Sequence, residues 1–297
     1  MSWWPEPRST AVRLGVFVVA LGLVFAGAYG VGAVASPDVG AEPAHDTPSA
    51  HGDATDEHGG AAGGSSGPAG LAVATDGYAL RAVSSAPAAG MPGAFAFQIL
   101  DADQRPVTSF QLNHEKRMHL IVVRRDLSGF QHLHPQLDAE GTWRTTLTLP
   151  TAGVWRVFAD FRPEGSEQSV ILGTDVQVGG EYAPQALPAP ANSTTVDGYT
   201  ITASGQLVPG RTSRLTLTVT KGGSPVSDLE PYLGAYGHLV ALRTGDLAYL
   251  HVHPQETHTS GPEITFDVEV PTTGTYRLFL DFQHGGAVHT AAWTTTA

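Results

Sequence analysis

The sequence predicts an all-β molecule: two tandem immunoglobulin-like or cupredoxin-like β-sandwiches after one N-terminal transmembrane or signal helix. Three observations predict it. One set of motifs occurs twice along the chain, and apolar residues alternate with polar ones in both copies. Pro and Gly clusters also interrupt the chain about every ten residues, the spacing of short strands joined by tight turns. At 297 residues and 41% hydrophobic content, there is enough material for about two packed domains. The composition excludes several chemistries. With no cysteine there are no disulfides, thiolate zinc or iron–sulfur sites, blue-copper centres or cysteine nucleophiles. Acidic residues number 28 against 16 basic ones, a net charge of -12. That balance argues against nucleic acid as a partner, which requires a basic surface to displace counterions.

The first predicted element is a helix. Leu14 to Ala35 carry no charge and are mostly apolar, and at about 1.5 Å per residue they span roughly 33 Å, close to a bilayer core. Arg8 and Arg13 precede the run. The positive-inside rule therefore makes residues 1–35 a cytoplasmic stub and membrane anchor, with the rest of the chain outside. Ala33-Val34-Ala35 also has the small-x-small form of a cleavage site, so secretion after cleavage near Ala35 is the alternative. Residues 36–70 lack apolar periodicity and read as an acidic, disordered linker. It carries His45, His51 and His58 among Asp46, Asp53, Asp56 and Glu57, a composition that fits either a spacer or loose metal capture.

The two sandwiches follow, at 71–180 and 194–297, joined by a Pro- and Ala-rich stretch at 181–193. Gly77-Tyr78 corresponds to Gly198-Tyr199, His119-Leu120 to His238-Leu239, and His132-Leu133-His134-Pro135 to His251-Val252-His253-Pro254. Later, Pro150, Gly153, Arg156 and Asp160-Phe161 match Pro271, Gly274, Arg277 and Asp281-Phe282. This is duplication of one domain. Period-2 rows define its strands: Trp143, Thr145, Leu147 and Leu149, then Trp155, Val157, Ala159 and Phe161, echoed by Ile264 to Val270 and Tyr276 to Phe282.

In each copy one predicted hairpin carries three histidines. With turns at Arg125–Ser128 and Thr244–Leu247, His119 falls opposite His134, and His238 opposite His253. His132 and His134, two residues apart, share a face. The candidate metal ligands are therefore His119, His132 and His134 in the first copy and His238, His251 and His253 in the second. Three imidazoles suit a divalent ion, copper ahead of zinc by affinity order. Met118 points to the opposite face. His114, His284 and His289 have no counterpart in the other copy. Asp160 and Asp281 fit either carboxylate ligands or ion pairs with Arg156 and Arg277, four residues earlier. The histidines also fit a purely structural role, because His119 alternates with Ile121 and Val123, and His238 with Val240 and Leu242.

The segments from His114 through His119 to Leu127 with His132-Leu133-His134-Pro135, and from Pro231 to Val240 with His251-Val252-His253-Pro254, resemble an exported actinobacterial family. That family is itself similar to YtkA-like and copper-binding sandwich modules. The resemblance covers about residues 70–297 and implies an extracytoplasmic β-sandwich that handles copper or another heavy metal.

The sequence thus points to a membrane-tethered extracytoplasmic metal-binding protein for buffering, delivery or resistance. The alternative is an interaction module, with other envelope proteins as partners and structural histidines. Neutral imidazole is the ligand form, so binding is expected to weaken below about pH 6.5. A zinc hydrolase requires a nearby base, for which Glu115 is the sole nearby carboxylate, and Gly234 takes its place in the second copy. No nucleophile-elbow, Walker or dinucleotide motif is present, and the chain is read as non-enzymatic.

Overall fold

The computed structural model describes residues 14, 16, 17, 19–24, 67–250, 252–255 and 259–297. The chain divides into two compact units, 1–61 and 62–297. In the first, the described residues between 14 and 24 are helical and exposed. Among the described residues no helix is long and apolar enough to cross a membrane. The rest of the expected anchor lies outside them, as do His45, His51 and His58.

The second unit is built from strands. The first copy contains β1 (Ala74–Thr75), β2 (Tyr78–Ala82), β3 (Pro92–Leu100), β4 (Phe110–Gln111) and β5 (His119–Arg124). It continues with β6 (Gln131–Leu133), β7 (Gln136–Leu137), β8 (Thr142–Thr148), β9 (Gly153–Pro163) and β10 (Val170–Val178). One sheet runs β1-β2-β3-β8-β7; the other runs β10-β9-β5-β6, with β4 on β9. The second copy contains β11 (Ser193–Val196), β12 (Tyr199–Ser204), β13 (Arg211–Lys221), β14 (Ser224–Pro225) and β15 (His238–Arg243). Then come β16 (Val252–Pro254), β17 (Glu263–Val270), β18 (Thr275–His284) and β19 (Ala287–Thr296). Its sheets run β11-β12-β13-β17-β16, with β14 on β13, and β15-β18-β19.

Each copy is an immunoglobulin-like sandwich closed by the alternation read from the sequence. Trp143, Leu147, Trp155, Val157, Ala159 and Phe161 fill the first core. Phe266, Val268, Tyr276, Leu278, Leu280 and Phe282 fill the second. Burying each large apolar side chain contributes roughly 1.5–3 kcal/mol.

The alternate residues of β5 and β15 are buried too. Leu120 and Val122 face their own core, whereas Ile121 and Val123 join Leu127 and Phe158 against Val240, Leu242, Leu247 and Phe279. The outer face of one copy's sheet thus packs on the outer face of the other's. Phe130 stacks on Phe279 with ring centroids 4.1 Å apart. The chain entering the first sandwich is pinned at the same seam. Ala69 accepts from Tyr249 N (2.9 Å) and Gly70 donates to Ile171 O (3.1 Å). Gly70 has φ +74, and a Cβ there would lie 2.6 Å from the Phe158 ring, so only glycine fits. Ala69 and Gly70 belong to the segment expected as linker, yet they are bound into the fold.

The two copies differ at one hairpin. In the first, β5 pairs with β6 with Leu120 across from Leu133, and the chain crosses to β8 only at β7, where Gln136 meets Arg144. In the second, Leu250 N still bonds Ala241 O, while Tyr249 N is taken by Ala69 O. The chain has already crossed by Val252, and β16 pairs with β17, His253 opposite Asp267.

Candidate metal centre

The first copy's hairpin gathers three imidazoles. Antiparallel register continued from the Leu120–Leu133 pair sets His119 across from His134, and the i, i+2 relation sets His132 beside His134. Ring centroids are 5.2 Å apart for His119 and His132, 5.1 Å for His119 and His134, and 4.8 Å for His132 and His134. One ring nitrogen of each lies within 4.8 Å of the other two, so the three can hold a metal ion.

The hydrogen bonds decide which nitrogens face inward. His119 Nε2 lies 2.8 Å from Asn113 O; a carbonyl only accepts, so this nitrogen carries the proton and Nδ1 carries the lone pair. His132 Nδ1 lies 2.8 Å from Asp281 Oδ2; the carboxylate accepts there as well, which leaves the lone pair on Nε2 when the ring is neutral. The two lone-pair nitrogens then face each other at 3.0 Å. They cannot hydrogen-bond without an added proton, but they are spaced as ligands. Two nitrogens bound to one ion at about 2.0–2.1 Å stand ~2.9 Å apart at a right angle and ~3.4 Å apart in a tetrahedron. His134 Nε2 is buried with no hydrogen-bond partner.

The outer contacts match those that orient metal-bound histidines, a carbonyl on one ring and a carboxylate on another. Asn113 O is presented by the tight turn Asn113–Lys116, closed by Asn113 N to Lys116 O at 2.7 Å. Its central residues, His114 and Glu115, have φ +48 and +62. Asp281 comes from β18 of the other copy, and Thr290 Oγ1 donates to its second oxygen at 2.6 Å. The His132 and Asp281 side chains are only 6% and 5% exposed. Asp281 is thus neither a direct ligand nor the partner of Arg277, which bonds Thr294 instead. The expected Arg156–Asp160 pair is likewise absent: Arg156 binds Asp175 and the carbonyls of Gly70 and Leu71. Met118 is packed in the first core.

Burial sets the protonation states. Removal from water pushes His119 and His134 down to about 3, and His238 to about 4, against the usual 6.5. Burial pushes the Asp160 carboxyl up to about 6. The folded protein therefore keeps these imidazoles neutral well below pH 6.5, a lower limit than free histidine implies.

The second copy repeats only part of this arrangement. His238 Nε2 donates to Tyr232 O at 2.7 Å, as His119 does to Asn113 six residues before it. His253 is exposed on the β17 edge, in the other sheet from His238, so the expected hairpin pairing of His238 with His253 does not form. His251 lies outside the described residues. His114 reaches across the seam to His238, with centroids 5.3 Å apart. His284 and His289 sit elsewhere, against Tyr199, Asp228 and Asp197. Asp281 as the partner of His132 was not visible in the sequence; the outward rows Ile121-Val123 and Val240-Leu242, with nothing in their own copy to cover them, were the available signal.

Fold and site together define a class: tandem immunoglobulin-like sandwiches packed face to face, with a histidine cluster in the seam. Residues 72–178 and 194–297 each match one family, the domain of unknown function DUF8832, and the chain belongs to that family, carrying the domain twice. The comparisons give no support to the expected resemblance to YtkA-like copper modules. No curated protein matches. Among solved structures, similarity extends to the Escherichia coli adhesin FdeC at 15% identity and TM-score 0.24, over 77% of this chain and 65% of that one. A Salmonella alpha-2-macroglobulin mutant is 14% identical with TM-score 0.27, over 77% and 15%. Invasin, a bacterial integrin-binding protein, is 17% identical with TM-score 0.20, over 73% and 38%. The chain thus spans less than two thirds of each of these proteins, and the fold assignment rests on its own sheets.

Proposed function

We propose that the chain is an extracytoplasmic, membrane-tethered metal-binding protein, copper ahead of zinc, acting in buffering, delivery or resistance. The supporting observation is the convergence of one ring nitrogen from each of His119, His132 and His134 within 4.8 Å of one another. His119, His132 and His134 would hold the ion, which supplies Lewis acidity and no residue-borne turnover. His238, His251 and His253 are a weaker second set, since His253 lies on the opposite sheet and not across a hairpin from His238. The test is calorimetric titration of the full chain with Cu(II) and Zn(II), beside the triple variant His119→Ala/His132→Ala/His134→Ala. The linker histidines contribute equally to both. Loss of the tightest equivalent in the still-folded variant is expected; unchanged titrations would overturn the reading.

One observation favours a second reading, an envelope interaction module with structural histidines. His119 and His238 both donate to a backbone carbonyl, a fold role that needs no ion. That reading predicts that metal leaves the unfolding midpoint of the chain unchanged.

A further inference from the structure

Two buried polar atoms near His119 and His132 are left without partners. A cavity of about 640 Å³ is walled by His119 and His132, and by Asp160, Arg162, Gln168 and His238. Asp160 lies directly across from His119 in the β5–β9 register, and Arg162, two residues on, shares its face. Asp160 Oδ1 and Arg162 Nε are both buried and both lack a hydrogen bond. One needs a donor and the other an acceptor, and a buried group left so is costly.

A second cation would serve Asp160 and repel Arg162; a simple anion would do the reverse. A molecule with an amine and a carboxylate serves both. Such molecules chelate borderline divalent ions through nitrogen and oxygen, and three imidazoles leave coordination positions open.

We propose that the cavity binds a small amino-carboxylate chelator, of the α-amino acid class, together with the metal. The amine nitrogen and one carboxylate oxygen meet the ion, the ammonium proton being lost to solvent. A remaining N–H donates to Asp160, and the second carboxylate oxygen accepts from Arg162. This rests on the metal reading of the three histidines.

The test is equilibrium dialysis of the zinc-loaded full chain against radiolabelled glycine, with zinc content measured in the same sample. About one glycine per zinc-loaded chain is expected, with retention at least tenfold weaker in the metal-free chain, in Arg162→Gln and in Asp160→Asn. Labelled acetate, lacking the amine, should be held at least tenfold more weakly. Retention equal with and without zinc, retention unchanged in both variants, acetate held as well as glycine, or glycine stripping the zinc overturns the proposal. Failure of zinc to load sinks the metal reading as well; zinc loading without glycine retention sinks this inference alone.

Discussion

At the scale of single residues, His132 links the two copies: its Nε2 faces His119 and its Nδ1 binds Asp281 from the other sandwich. Asp281→Asn keeps the shape but weakens the acceptor that orients the ring. Metal affinity should fall about 10–100-fold, as read by competition with a chromogenic chelator; an unchanged affinity would make Asp281 a packing residue only. The lowered histidine values also set a pH profile. In the unfolded chain these rings protonate near 6.5, while in the fold His119 and His134 wait until about 3 and His238 until about 4. Between those limits the unfolded chain binds more protons, so stability falls as pH drops from 6.5 and is at its full value above it. Asp160, raised to about 6 from 3.8, acts oppositely, because its protonation favours the fold. Three larger shifts outweigh one smaller one. Urea midpoints measured at pH 7.5, 6 and 5 should decrease in that order, and a flat or rising series would contradict it. The three-histidine cluster was legible because strand parity and hairpin register are local rules. Asp281 was not, since it lies 149 positions from His132.

Strands carry the next level of the account. The β5–β6 hairpin was readable from turn position and period, and its register sets His119 opposite His134. Its counterpart was not, because β16 changes sheets before His253, while Ala69, outside the hairpin, takes Tyr249 N. No pattern within residues 238–254 encodes that bond. The outward rows of β5 and β15 carry the seam, and Phe279 at its centre is 3% exposed and stacked on Phe130. Phe279→Ala should cost about 3–5 kcal/mol in chemical denaturation. It should also weaken metal binding, since Asp281 follows two residues later on the same face. A loss under ~1 kcal/mol would mean that the copies are not held together there.

Residues 72–297 form a duplicated domain closed on itself, with each copy's outer sheet face serving as the other's cover. Duplication, all-β class and core rows were plain in the sequence because repeats and period-2 patterns are one-dimensional. The face-to-face packing was not, since an outward apolar row does not name its partner. Binding in the seam should stabilise the folded chain by mass action, so the urea midpoint should rise with zinc and stay fixed in the three-histidine variant. The central claim, that His119, His132 and His134 hold one ion, is tested most directly by zinc K-edge X-ray absorption of the full chain at substoichiometric zinc. The account predicts three imidazole ligands at about 2.0–2.1 Å, lost in the His119→Ala/His132→Ala/His134→Ala variant. The same imidazole scattering in that variant would contradict it.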